Sequence, residues 1–116
     1  MSFHVNVSTK RIVITFLLLW CSTASAVLPS SNPLPLQSVA QKRADYMALH
    51  NYRWHPPYNI GQPWRKGARF EGAGWGRQNA NPKRIGTCLP RYRGMRLVGD
   101  AFARSQYGTY RIRLWR

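Results

Sequence analysis

The most regular alternation of small and large side chains lies at the C-terminal end of the chain. Residues 95–104 and 109–116 read as two antiparallel strands joined by the four-residue loop Ser105-Gln106-Tyr107-Gly108. Placing Arg104 opposite Thr109 sets Ala103 against Tyr110, Ala101 against Ile112 and Gly99 against Leu114. On that face a small residue meets a large one at each step, which leaves room for an element packed above it. The other face pairs Phe102 with Arg111, Asp100 with Arg113 and Val98 with Trp115: a cation on a ring, an ion pair and an apolar pair. A slip by one residue would expose Ile112 and Leu114 and break the Asp100–Arg113 match, so the pattern specifies one register. Asp100 is then a structural acid.

A helical period occupies residues 36–50, with apolar positions at Leu36, Val39, Ala40, Ala44, Met47 and Ala48 and with Pro35 suited to the first turn. Arg43 falls inside this stripe. Either its stem passes along the core to solvent or its guanidinium meets a buried acid, and Glu71 is the candidate acid.

Residues 69–76, Arg-Phe-Glu-Gly-Ala-Gly-Trp-Gly, alternate glycine with other residues as an interior strand and carry the only glutamate of the chain. Glycine at every second position leaves one side of the strand bare between Phe70 and Trp75. Either a helix seats closely on that side, or it floors a ligand groove. A phosphate-binding loop is excluded, because no Gly-Lys-Ser/Thr ending follows and Asn81-Pro82 interrupts any helix. Together the segments predict an α+β fold in which the helix packs on a small antiparallel sheet that ends in the C-terminal hairpin.

Between these elements, residues 51–62 are rich in aromatics and proline without a period and predict an ordered irregular loop. Its Tyr52, Trp54 and Tyr58 are expected to cover one edge of the core; the alternative is a stacking surface for sugar rings or bases. Residues 77–93 are polar and basic, with Ile85 and Leu89 as anchors and a short helical turn near Cys88.

The N-terminus changes the compartment. Lys10 and Arg11 precede an apolar run from Ile12 to Cys21, and Ala24-x-Ala26 completes a secretory signal over residues 1–26. That run has about half the roughly 20 residues a membrane span needs, so no permanent span is expected. Residues 27–35 form a proline-rich disordered leader, and residues 36–116 one small domain, secreted or periplasmic. Cleavage removes Cys21 and leaves Cys88 without an intramolecular partner, expected buried between Ile85 and Leu89; the alternative is a disulfide-linked dimer.

Charge then narrows the partner. The formal net charge is +15, and about +13 remains after the signal is removed, most of it on arginine. Such a field attracts nucleic acid, acidic lipids and envelope polysaccharide, with a protein partner as the other candidate, and arginine adds bidentate contacts to phosphate and carboxylate. Arg104, Arg111 and Arg113 of the hairpin are the candidate polyanion contacts. Catalytic chemistry is poorly provided for. His50, His55, Asp45, Glu71, Asp100 and Cys88 show no Ser-His-Asp order or Cys-His grouping, and His50, His55 and Glu71 make at most three metal ligands. The sequence therefore predicts no catalytic residue, no metal and no cofactor.

The order of Ala40, Ala44 and Met47 on a helix, His55 in a loop, Phe70-Glu71-Gly72-Ala73-Gly74-Trp75, Cys88, Val98-Gly99-Asp100-Ala101 and a closing Gly108-x-Tyr110 resembles a family of short exported bacterial proteins of unknown activity. It is also similar to a truncated domain of the CAP, or cysteine-rich secretory protein, superfamily. That resemblance covers roughly residues 36–115 and implies an α-β-α sandwich, with His55 as the first cleft histidine and Glu71 as the first cleft glutamate. Gly72 stands where the superfamily has asparagine, and no histidine follows His55, so the second half of a four-residue cleft is absent. The expected function is a non-enzymatic binding module for envelope polyanions, nucleic acid or a protein partner. The alternative is a reduced CAP-like cleft that binds a ligand or metal through His55 and Glu71, with Trp75 beside it.

Overall fold

The computed structural model describes residues 33–116; the expected signal, Cys21 and the part of the expected leader before residue 33 lie outside the described residues. Helix α1 spans Gln37–His50 and packs on a three-stranded antiparallel sheet of β1 (Phe70–Gly76), β2 (Leu97–Ser105) and β3 (Gly108–Trp115). The fold is α+β, as the patterning predicts. No helix among the described residues is long and apolar enough to cross a membrane.

Strand order is β1-β3-β2, so the glycine-rich strand is an edge and β3 is the centre. This corrects the expectation of an interior glycine strand. The reason lies in β3 itself: Tyr110, Ile112 and Leu114 are completely buried, and a central strand walls such side chains with a neighbour on both sides. Ala73 and Ala101 flank Ile112, and Glu71 and Gly99 flank Leu114.

Above this face lie the buried Val39, Ala40, Ala44, Met47 and Ala48 of α1. A side chain at Gly99 would stand 2.8 Å from the Leu36 carbonyl oxygen and 3.0 Å from the Ala40 Cβ, so the helix rests on that glycine. Leu36 precedes the first turn without a side-chain cap, and its N–H donates to the Val98 carbonyl at 2.7 Å. Gln37 acts like an added strand residue, accepting from the Asp100 N–H at 3.0 Å and donating to the Asp100 carbonyl at 2.7 Å. Gln41 donates to the Phe102 carbonyl at 2.9 Å. These amides satisfy part of the free edge of β2 and remove a template for strand addition. At the other end of α1, Asn51 takes the left-handed conformation and accepts from the Tyr110 hydroxyl.

The hairpin keeps the expected register from Gly99 to Arg104, with four departures. A bulge at Val98 places Leu97, not Val98, opposite Trp115. The strands run to Ser105 and Gly108, so only Gln106 and Tyr107 form the loop. Asp100 lies across from Arg113 but binds the diagonal Arg111, because an arginine stem spans the offset between neighbouring pairs. The cations over rings also shift: Arg104 stands 5.9 Å from the Phe102 ring centroid and Arg113 5.9 Å from that of Trp115.

The bare side of β1 is covered by residues 80–88, not by the helix. A Cβ at Gly74 would lie 2.2 Å from the Gly86 carbonyl oxygen, and one at Gly72 would lie 2.5 Å from that of Cys88. The packing reading holds, with a loop in place of a helix. Its one regular piece is a 3₁₀ turn at Pro82–Arg84, not a turn at Cys88, and Ile85 is its buried anchor.

Candidate functional site

On the outer face of the sheet, side chains of β2 and β3 hold this loop. Thr109 donates to the Gln78 carbonyl at 3.0 Å and Arg104 to that of Ala80 at 2.7 Å. Arg111 donates to the carbonyls of Lys83 and Ile85 at 3.1 and 3.0 Å, and Arg113 to the Thr87 hydroxyl at 2.7 Å. Arg111 also grips Asp100 through two bonds of 2.9 and 2.8 Å. That hydrogen bond raises the Arg111 pKa, whereas burial, followed by the charge of Arg111, lowers that of Arg113. The three hairpin arginines expected to meet a polyanion thus fasten residues 80–87 to the sheet.

On the inner face the two proposed partners of Glu71 turn out to bind it together. Arg43, only 1% exposed, donates to Glu71 Oε2 through Nε and to Oε1 through Nη2 at 3.0 Å. Its remaining donors go to loop carbonyls: Nη2 to Pro56 at 2.8 Å, Nη1 to Pro57 at 3.0 Å and to Ile60 at 2.7 Å. All five N–H groups of the guanidinium are satisfied. The intruding cation of the helical stripe is therefore the hub on which residues 56–60 are folded.

His55 Nδ1 lies 2.8 Å from Glu71 Oε1. The Glu71 side chain is 1% exposed and that of His55 39%, so one edge of the imidazole is held by the buried acid while the ring reaches solvent. A carboxylate oxygen accepts, so Nδ1 is the donor of this pair and Nε2 is the polar atom left on the opposite edge. Trp54 stacks edge-on against this ring with centroids 5.4 Å apart.

Beside the pair is a half-open groove of about 590 Å³, lined by His55 and Glu71 from the inner layer and by Phe70, Cys88, Leu89, Arg91 and Tyr92 from the outer layer. It can draw walls from both layers because β1 is an edge strand. Trp75 does not join it: four residues along the strand from Glu71 puts it about 13 Å away, and it stands exposed across from Tyr110. Cys88 is exposed, correcting the expected burial, because its backbone rests on Gly72 while Ile85 fills the adjoining space. Leu89 is likewise exposed. No disulfide forms among the described residues, and they hold no cluster of three or more groups able to ligate a metal.

The loop aromatics also differ from expectation. Trp54 and Tyr58 are exposed, whereas Tyr52 is half-buried edge-on to Tyr46, and Pro56 takes the buried position of the loop, where an Arg43 bond draws its backbone inward. A smaller hollow of about 320 Å³, near Lys83, Phe102 and Asn81, has its acid already paired, Asp100 with Arg111.

A third feature had no signal in sequence spacing. The Arg69 N–H donates to the Trp115 carbonyl at 2.8 Å, and Arg96 and Arg116 exchange backbone bonds of 2.8 and 2.9 Å. The Arg116 side chain runs within 3.6 Å of the Cβ position of Gly67, at the end of the turn that carries Arg65 and Lys66. Five cations from three segments thus gather at one end of the sheet, with no Asp or Glu side chain paired to any of them among the described residues.

The chain matches no family model, and neither a curated protein nor a solved structure is significantly similar to it.

Proposed function

We propose that the mature chain is an exported, non-enzymatic binding module that holds acidic polymers of the cell envelope through the basic end of its sheet. The observation that carries this reading is the allotment of the acids. Glu71 is committed to Arg43 and His55, and Asp100 to Arg111, while Asp45 accepts from Gln41. Arg65, Lys66, Arg69, Arg96 and Arg116 are all exposed, and no Asp or Glu side chain among the described residues pairs with any of them. Like charges brought together by backbone pairing repel one another, and a polyanion relieves that repulsion while releasing its counterions. Trp64, exposed in the same turn as Arg65 and Lys66, adds a flat surface for a sugar ring.

The test is affinity against salt for a sulfated or phosphorylated polysaccharide. Wild type should show a steep log–log slope, and substituting Arg69, Arg96 and Arg116 together by serine should flatten it by about three contacts. A shallow slope, or one unchanged by the triple substitution, overturns the reading. Tighter binding to single-stranded DNA at matched salt would reassign the partner to nucleic acid.

A further inference from the structure

We infer that the groove over the β1 edge is a site for a small phosphate monoester carried on a flat ring. The inference is independent of polymer binding, because it uses other residues.

The head group follows from the two polar walls. His55 lines the groove with its Nδ1 taken by Glu71, so Nε2 is the free polar atom of that ring. Arg91 offers a cation with planar donors in the same groove. One chemical group that meets Arg91 and meets Nε2 in either its accepting or its donating form has an anionic oxygen and an acidic O–H on a single centre. A phosphate monoester, whose second ionisation falls near 6, is such a group close to neutrality. A sulfonate or carboxylate has the anionic oxygen and no O–H to give. Glu71 itself cannot take the ligand: both of its oxygens are engaged and its side chain is 1% exposed.

The body follows from the remaining walls. Phe70, Leu89 and Tyr92 supply rings and an apolar side chain, and Tyr92 stands 79% exposed with Leu89 61% exposed at the groove mouth. Apolar side chains held open to solvent beside a buried charge network are the lining of a ligand site rather than of a core. The volume of about 590 Å³ suits a single ring with its phosphate. Cys88 shares the wall and serves as a reporter, since it is exposed and is the only cysteine of the described chain.

The experiment titrates phenyl phosphate into the mature chain and follows both binding heat and protection of Cys88 from iodoacetamide. Saturable protection is expected, with inorganic phosphate, which lacks the ring, and benzenesulfonate, which lacks the O–H, each binding roughly tenfold more weakly. Arg91→Gln and Tyr92→Ala should each weaken phenyl phosphate by roughly tenfold with unchanged thermal melts, because both side chains are exposed. Absence of saturable protection, benzenesulfonate binding as tightly as phenyl phosphate, or full affinity in Arg91→Gln would each overturn the assignment. Polymer binding measured on the same variants keeps the two proposals separate: loss of phenyl phosphate with an intact salt slope removes the groove and leaves the basic end.

Discussion

Replacing Glu71 by glutamine deletes one charge and a single acceptor at the point where three chain segments meet. The Arg43 and Glu71 side chains are 2% and 1% exposed, so solvent cannot take over the lost interaction. Glu71 Oε1 accepts from both Arg43 Nη2 and His55 Nδ1, which leaves the new amide nitrogen facing Arg43 Nε, donor against donor. Leaving a buried guanidinium without its counter-charge costs about 3–5 kcal/mol. A domain of some eighty residues holds only about 4–12 kcal/mol in total, so the loss is a large part of its stability. The thermal midpoint should fall by at least about 12 °C, and urea unfolding followed by tryptophan fluorescence should shift to lower denaturant with the slope unchanged. Because the pair is buried, the difference between wild type and variant should persist in high salt. A loss below about 1 kcal/mol, or one that salt abolishes, would refute the argument that this pair organises the fold.

Two further substitutions probe the two faces of the sheet. Ala101→Phe places a ring under α1 where Ala101 is 3% exposed and beside the fully buried Ile112, and overpacking should cost roughly 1–3 kcal/mol or more in a thermal melt; a neutral effect would mean the helix does not sit on that face. Gly74→Ala sets a methyl group 2.2 Å from the Gly86 carbonyl oxygen, so residues 80–88 must lift, and amide exchange of that segment should speed up well before the core of β3 is affected; unchanged exchange there would show that the loop does not rest on β1.

The parts of this fold that were legible in the sequence are those in which one residue type had few alternatives. Alternation of Gly99, Ala101 and Ala103 against Leu114, Ile112 and Tyr110 admits one register, and it is the observed one. A lone cation in the apolar stripe of α1 and a lone glutamate in a strand leave each other as partners, and Arg43 and Glu71 do meet. Other features have no local marker. Leu97 and Val98 are adjacent aliphatic residues, and nothing in that pair tells a bulge from continued pairing. The glycines of β1 announce that something approaches without naming it, and a loop fits as well as a helix. Cys88 was expected inside because Ile85 and Leu89 flank it, yet only Ile85 is buried, since an irregular segment lets neighbouring side chains diverge. The contact between His55 and Glu71 depends on the path of a proline-flanked loop, and that path is drawn by Arg43 bonds to Pro56, Pro57 and Ile60.

One economy runs through both proposed sites. Within the described residues, two of the three acids serve as internal anchors, each for an arginine that in turn gathers loop carbonyls: Arg43 those of residues 56, 57 and 60, and Arg111 those of residues 83 and 85. A small chain with one helix and three strands has little apolar area with which to order long loops, and a guanidinium with several donors orders a loop by hydrogen bonding instead. The consequence reaches the surface. With so few acids left outside, the exposed arginines are uncompensated, and the loop ordered by Arg43 is the one that delivers His55 to the groove. The same buried ion pair thus sets the inner wall of the groove and removes from the surface a carboxylate that would otherwise soften its positive field.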